Sequence, residues 1–190
     1  MNIANNKRKK ESQLKFEKAF AELIQKKELN QISVTEICKL THLNRTTFYA
    51  NYLDIDDLAD KFREKLENDM KEVYKEEREK AHNSNDFLKL FKHIKENQLF
   101  YKTYFKLNVK ELPITEYDYN LANILFQDKY IDYHIEFFKA GLNAIILKWL
   151  NNDCKESPET INEIITSEYK SKSNIDDILK NKITGLKLKH

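Results

Sequence analysis

Two glycines and two prolines in 190 residues leave this chain almost without the turn chemistry that hairpins and short βα loops require. Apolar residues recur at helical spacing instead. Phe16, Ala19, Phe20, Leu23 and Ile24 predict a first helix from about Lys9 to Lys27. Leu58, Phe62, Leu66, Met70 and Val73 predict a long fourth helix from about Ile55 to Lys80. Further helices are expected over Phe87–Ile94, through the aromatic run that follows, from Tyr119, and over the densely apolar Tyr130–Leu150. Ser157-Pro158-Glu159 reads as a helix start, with Ser as N-cap and Pro at the first helical position. A loop is expected around Pro113, and a weak last helix over Ile175–Leu179. The expected class is all-α.

At this length the chain has room for one sizeable domain or two small ones sharing a core. Cys38 and Cys154 lie in unrelated segments, with no CxxC or Cys-His spacing, and read as reduced thiols of a cytoplasmic protein. The start, MNIANNKRKKE, has no apolar run behind its basic residues, and no stretch approaches the roughly 20 apolar residues of a membrane span. A cytoplasmic location away from the membrane is expected.

Net charge is only +2, but its distribution is uneven. Residues 1–53 carry ten Lys/Arg against five Glu, whereas 54–190 carry 23 basic against 26 acidic residues. A basic N-terminal third on a mildly acidic remainder suits a head that faces phosphate. Lys7-Arg8-Lys9-Lys10 either meets phosphate, the reading slightly favoured, or forms a solvated tail.

The stretch VTEICKLTHLNRTTFYANYLDIDDL, Val34 to Leu58, has the spacing of a helix-turn-helix. Ile37 and Leu40 form the apolar side of its first helix, Leu43 sits in the corner, and Phe48 and Tyr52 face inward from the second. Ser33 is the expected N-cap of the first helix, with Glu36 completing a capping box. Asn44 is the expected N-cap of the second. Arg45, Thr46 and Thr47 then occupy the turn that meets base edges in a recognition helix. Arg45 is favoured for a bidentate contact with guanine, the commonest specific pairing, over a purely phosphate contact.

These residues resemble the TetR/AcrR family of bacterial one-component regulators. The similar positions are Val34, Ile37, Leu43, Thr47-Phe48-Tyr49, Asn51-Tyr52 and Asp57-Leu58. LFKHIKENQLFYKTYF and FFKAGLNAIILKWLNNDCKESPE are similar to the C-terminal domain of a Gram-positive-rich branch of that family, so the likeness runs from about residue 8 to 170. His42 stands where the family usually has Gly, so the corner must accommodate a side chain. Asn51 replaces a common phosphate-touching His, and Ile55 replaces a common phosphate-touching Lys.

The resemblance implies a three-helix helix-turn-helix head over 1–54 on a larger C-terminal helical bundle over 55–190, the latter for ligand binding and dimerisation. It implies a homodimer on double-stranded DNA, most simply a ligand-relieved repressor on a near-palindromic operator. Expected DNA contacts are Thr35, Lys39, Asn44, Arg45, Thr46, Thr47, Tyr49 and Asn51, with Tyr49 in the place of the family's phosphate-binding tyrosine. Lys39 reads equally as a solvated lysine. Phe91, His93, Tyr101, Tyr104 and Phe105 either line a cavity for a small-molecule effector or are plain core, the second being favoured from sequence alone.

The family dimerises through its last two long helices. Gly141 lies in the middle of the richest helix, where Gly costs about 1 kcal/mol against Ala, and close approach of another helix explains that choice. Gly141, Leu142, Ile145 and Trp149 are therefore placed at or near the subunit seam, against burial within one subunit.

An alternative is a protein of the same fold acting as a co-activator or partner-binding module with weak DNA binding of its own. A small helical enzyme is a remote third reading. The chain has no glycine-rich phosphate loop, GxSxG, HExxH or cysteine-based metal spacing, and its five histidines are scattered. No catalytic residue, cofactor or metal is expected.

Overall fold

A computed structural model of the chain describes residues 3–79, 87–107, 109, 112 and 129–168. All regular structure among them is helical. In chain order the α-helices are α1 (Ile3–Ile24), α2 (Val34–Thr41), α3 (Arg45–Tyr49), α4 (Ile55–Val73), α5 (Lys75–Glu79), α6 (Leu88–Glu96), α7 (Gln98–Lys106), α8 (Ile131–Asn151) and α9 (158–168). A 3-10 turn, Leu29–Gln31, precedes α2. The loop expected around Pro113, the helix start at Tyr119 and the last helix over 175–179 lie outside the described residues.

Packing forms two compact units. One holds α1–α4 with α7; the other holds α5, α6, α8 and α9. In the first, Phe16, Phe20, Leu23 and Ile24 of α1 meet Ile37 of α2, Phe48, Tyr52, and Leu58 and Phe62 of α4, all buried. Ring edges set the packing: Phe16 lies 5.3 Å from Phe48 at 78°, and Phe20 lies 5.7 Å from Phe62 at 62°. The sequence draws a boundary after Asp54. Packing draws its line after Tyr74 and adds α7, because Phe62 meets Phe100 ring to ring at 5.3 Å.

α7 docks through polar groups as well. Thr103, fully buried, accepts a hydrogen bond from Gln25 Nε2 at 3.0 Å and donates to Leu99 O at 2.8 Å. Lys106 Nζ donates to Gln25 O at 3.0 Å and Ile24 O at 3.3 Å, satisfying carbonyls left open where α1 ends.

Helix ends follow their caps. Ser33 Oγ accepts from Glu36 N–H at 3.2 Å, but the Glu36 carboxylate does not close the expected box: both its oxygens hold Lys27 Nζ at 2.7 Å. Asp54 Oδ1 accepts from Asp57 N–H at 2.8 Å, and Asp56 and Asp57 complement the α4 dipole. α1 begins six residues before the expected start at Lys9, since the lysines and arginine at 7–10 favour helix without marking a buried face. The helix expected from Ile55 to Lys80 breaks at Tyr74, where the apolar stripe has ended and α5 carries only charged residues.

In the second unit, Phe91 of α6 meets Trp149 of α8 edge to face at 6.0 Å, and Phe87 meets Phe138 at 5.6 Å. Trp149 Nε1 donates to Glu156 O at 3.3 Å. Ser157 Oγ accepts from Thr160 N–H at 3.1 Å, capping α9, whose Ile161 and Ile165 are buried, whereas Ile164 is exposed.

Candidate nucleic-acid interface

α2, the corner and α3 present the helix-turn-helix expected from the sequence. Ile37, Phe48 and Tyr52 face the core, whereas Leu40 does not: it is half exposed, and Cys38 takes the inward place beside Ile37. The turn between the helices passes through His42 at φ 54 and ψ 30, the left-handed conformation in which the family usually has Gly.

Asn44 caps α3 twice over. Its Oδ1 accepts from Thr47 N–H at 2.7 Å and from Thr47 Oγ1 at 2.8 Å. This fixes the first turn with Arg45 and Thr46 exposed, while Phe48 anchors the opposite side in the core. Thr35 and Lys39 on α2 are exposed as well. Arg45 Nη2 donates to the Tyr49 phenol oxygen at 3.2 Å, and its guanidinium carbon lies 5.9 Å from the Tyr49 ring centroid. That bond holds the guanidinium more firmly protonated than usual. Burial pushes the Cys38 thiol up, with Arg45 pulling against it.

Asn51 behaves differently from expectation. Its Nδ2 donates to Thr47 O at 2.8 Å and to Ser12 Oγ at 3.4 Å, so both amide hydrogens are engaged within the head. Its Oδ1 is buried and has no hydrogen-bond partner in the structure. In this conformation Asn51 is a strut between α1 and α3, with no donor left for a phosphate. The signal for this is only visible in three dimensions, because Ser12 lies 39 residues away.

Between α1 and α3 runs an open groove of about 630 Å³, lined by Arg8, Lys9 and Lys15 on one side and by Asn44, Thr46 and Thr47 on the other. Glu11 is its one acidic side chain. The lysines and arginine at 7–10 are thus exposed positions on a helix rather than a tail. Lys15 joins them through helical spacing that the sequence reading passed over. Cationic and hydroxyl donors along one groove beside α3 suit a polyanionic backbone.

Ile55, in the place of the family's phosphate-touching Lys, is half-buried against the head core at the first turn of α4. Asp57 at that turn accepts from Leu53 N–H and from Lys61 Nζ, each at 2.8 Å, and these donors, Lys61 first, hold its carboxyl below the usual range.

The residues expected around an effector divide between the units: Phe91 and His93 fall in one, and Tyr101, Tyr104 and Phe105 in the other. Phe91, Tyr101 and Tyr104 are core side chains, and His93 and Phe105 are half-buried. Burial raises the Tyr101 and Tyr104 phenols well above their ordinary range, and Tyr104 Oη also donates to Glu67 Oε1 at 2.9 Å. Of the seam residues, Leu142 and Trp149 are buried within their own unit, Ile145 is half-buried, and Gly141 is exposed. Among the described residues a Cβ built on Gly141 meets nothing within 4 Å, so none of the described helices explains that glycine. Tyr133 and Phe137, two turns and one turn before it, are 77% and 73% exposed. Among the described residues no helix is long and apolar enough to cross a membrane.

Comparison with known proteins adds three findings. A family model, TetR_C_8, described as the transcriptional regulator C-terminal region, matches residues 82–168. The HTH-type dhaKLM operon transcriptional activator DhaS of Lactococcus lactis subsp. lactis (strain IL1403) is 30% identical over 120 residues, which are 62% of this chain and 63% of that protein. The chain therefore spans less than two thirds of the length of the curated relative it matches. A solved structure, the dihydroxyacetone kinase operon activator DhaS, aligns over 86% of this chain and 96% of its own at 21% identity, with a TM-score of 0.49.

Proposed function

We propose that the chain is a TetR-type transcriptional regulator, as its likeness to the regulator C-terminal region and to the Lactococcus activator supports, and that it binds double-stranded DNA as a homodimer. Each subunit lays α3 in a major groove, and the dimer reads two half-sites of a near-palindromic operator. Residues 1–54 are the DNA-binding domain, and 55–190 bind an effector and the second subunit. The observation that supports this best is the doubly capped start of α3, which leaves Arg45 and Thr46 exposed beside the basic groove of α1. Arg45 reads a base; Thr46 and Thr47 touch phosphate or a thymine methyl; Thr35, Lys39 and Tyr49 meet the backbone. Gly141 and Ile145 lie at the seam, with Leu142 and Trp149 supporting it from inside.

Two directions of control are open to such a protein. Repression relieved by a small molecule is the one expected from the sequence, and a ligand can shift the heads only by as much as it prefers one conformation. Activation is the second reading, supported by the printed name of the Lactococcus relative. Genomic fragments retained by the purified protein, tested singly by gel shift, examine the DNA-binding reading. A few fragments sharing an inverted repeat support it, whereas absence of retention turns the choice to the co-activator or partner-binding module. A reporter driven by a retained fragment then separates repression from activation.

A further inference from the structure

We propose that Tyr49 is a positioning residue that sets the base preference of Arg45, in addition to any contact of its own with the DNA backbone. The proposal rests on the reading of α3 as the recognition helix. Arg45 and Tyr49 are one helical turn apart, on the exposed side of α3. An exposed arginine ordinarily samples many rotamers, and a bidentate contact with guanine needs one orientation of its planar fork. Here the fork is tied before DNA arrives: Nη2 donates to the phenol oxygen at 3.2 Å, with the guanidinium carbon 5.9 Å from the ring centroid.

The tie is only as firm as the tyrosine, and the tyrosine is held from below. The Phe48 ring meets the Tyr49 ring at 5.6 Å and 89°, and Phe48 is itself fully buried against Phe16 at 5.3 Å. A line of ring contacts thus runs from the core of α1 through α3 to the guanidinium. The phenol oxygen accepts from Arg45, so its own hydrogen stays available to a phosphate. One side chain then couples backbone register to base reading. The remaining guanidinium donors are enough for a guanine edge, since Arg carries five N–H groups and Tyr49 uses one.

A double-mutant cycle on DNA tests this. With an operator selected by the wild-type protein, affinities are measured for that sequence and for single-base variants, using wild type, Tyr49→Phe, Arg45→Ala and the double variant. The ratio of affinities within one protein sample is unaffected by the active fraction, and Tyr49→Phe keeps the ring that packs on Phe48. We expect Tyr49→Phe to lower discrimination about two- to tenfold, the scale of one hydrogen bond, at the base pair where Arg45→Ala also loses it. Other positions should keep their ratios, and Tyr49→Phe should change nothing further at that base pair in the Arg45→Ala background. Uniform weakening on all sequences with unchanged ratios, or additive effects at that base pair, would overturn the positioning role while leaving α3 as the reading head. Unchanged base preference in Arg45→Ala would instead overturn the reading of α3, and the proposal with it.

Discussion

Lys65 on α4 holds the carboxylate of Glu17 on α1, whose side chain is only 9% exposed. Glu17 lies between Phe16 and the buried Ala19–Phe20 pair, so an acid at this position is tolerated only with a cation reaching it. Lys65 is itself 45% exposed, which lets its stem lie along the head while the charge stays partly hydrated. Lys65→Met removes the cation and leaves the acid, at an expected cost of about 1–3 kcal/mol. Adding Glu17→Gln should restore part of it. Urea denaturation of the three proteins at neutral pH measures both effects; equal midpoints for Lys65→Met and wild type would show that this pair does not hold α4 to α1.

His42 occupies the left-handed region, with its side chain exposed. L-residues are disfavoured in that conformation by roughly 1–2 kcal/mol, partly offset in a glycine by the entropy its unfolded chain loses. His42→Gly should therefore raise stability by about 0.5–1 kcal/mol, and His42→Val should lower it, because a β-branched residue fits positive φ worst. Thermal unfolding of both variants checks the sign in each direction.

Acid should weaken the start of α4. The folded-state pKa of Asp57 is depressed by Lys61 and by the Leu53 N–H, so its stabilising contribution is present above the unfolded carboxylate value, about 4. It is lost as pH falls through the lower folded value. Asp57→Asn should be less stable than wild type at pH 7, with the difference shrinking below about pH 4. Denaturant midpoints at pH 7, 5 and 3 follow this directly, and a constant difference across the series would contradict it.

Gly141 separates helix propensity from assembly. Nothing among the described residues obstructs a Cβ at Gly141, so Gly141→Ala should stabilise α8 by up to about 1 kcal/mol. If a second copy approaches closely at this point, the same change should weaken the dimer. Sedimentation velocity across a concentration series, beside thermal unfolding, reads the two effects separately. A monomeric wild type at micromolar concentration would remove α8 from the proposed interface.

Salt dependence examines Ile55. Each neutralised phosphate contributes about −0.9 to the slope of log K against log salt on B-DNA. With Asn51 engaged inside the head and Ile55 apolar, a shallow slope is expected for a dimeric regulator of this kind. Ile55→Lys should steepen it and tighten operator binding. It should also lower stability by about 1 kcal/mol, since Ile55 is half-buried against the head core. An unchanged slope with lowered stability would mean that the start of α4 does not approach the backbone.

Much of the local design was legible along the chain. Paucity of glycine and proline, together with 3.6-residue periodicity, pointed to helices. Ser33, Asn44 and Ser157 act as the expected N-caps because capping depends on residues only three positions apart. Phe48 and Tyr52 face inward as their spacing required, whereas Leu40 on α2, read from spacing in the same way, is half exposed. What depends on distant partners was not legible. Whether an asparagine side chain is free to meet a phosphate depends on Ser12, 39 positions away in sequence. Whether α7 joins the head depends on Phe62 meeting Phe100, and whether Leu142 and Trp149 are free for a partner depends on how their own unit closes over them. Periodicity identifies which residues must leave water. Only tertiary packing decides what they meet, because burial lowers the free energy without regard to direction and many partners satisfy it equally.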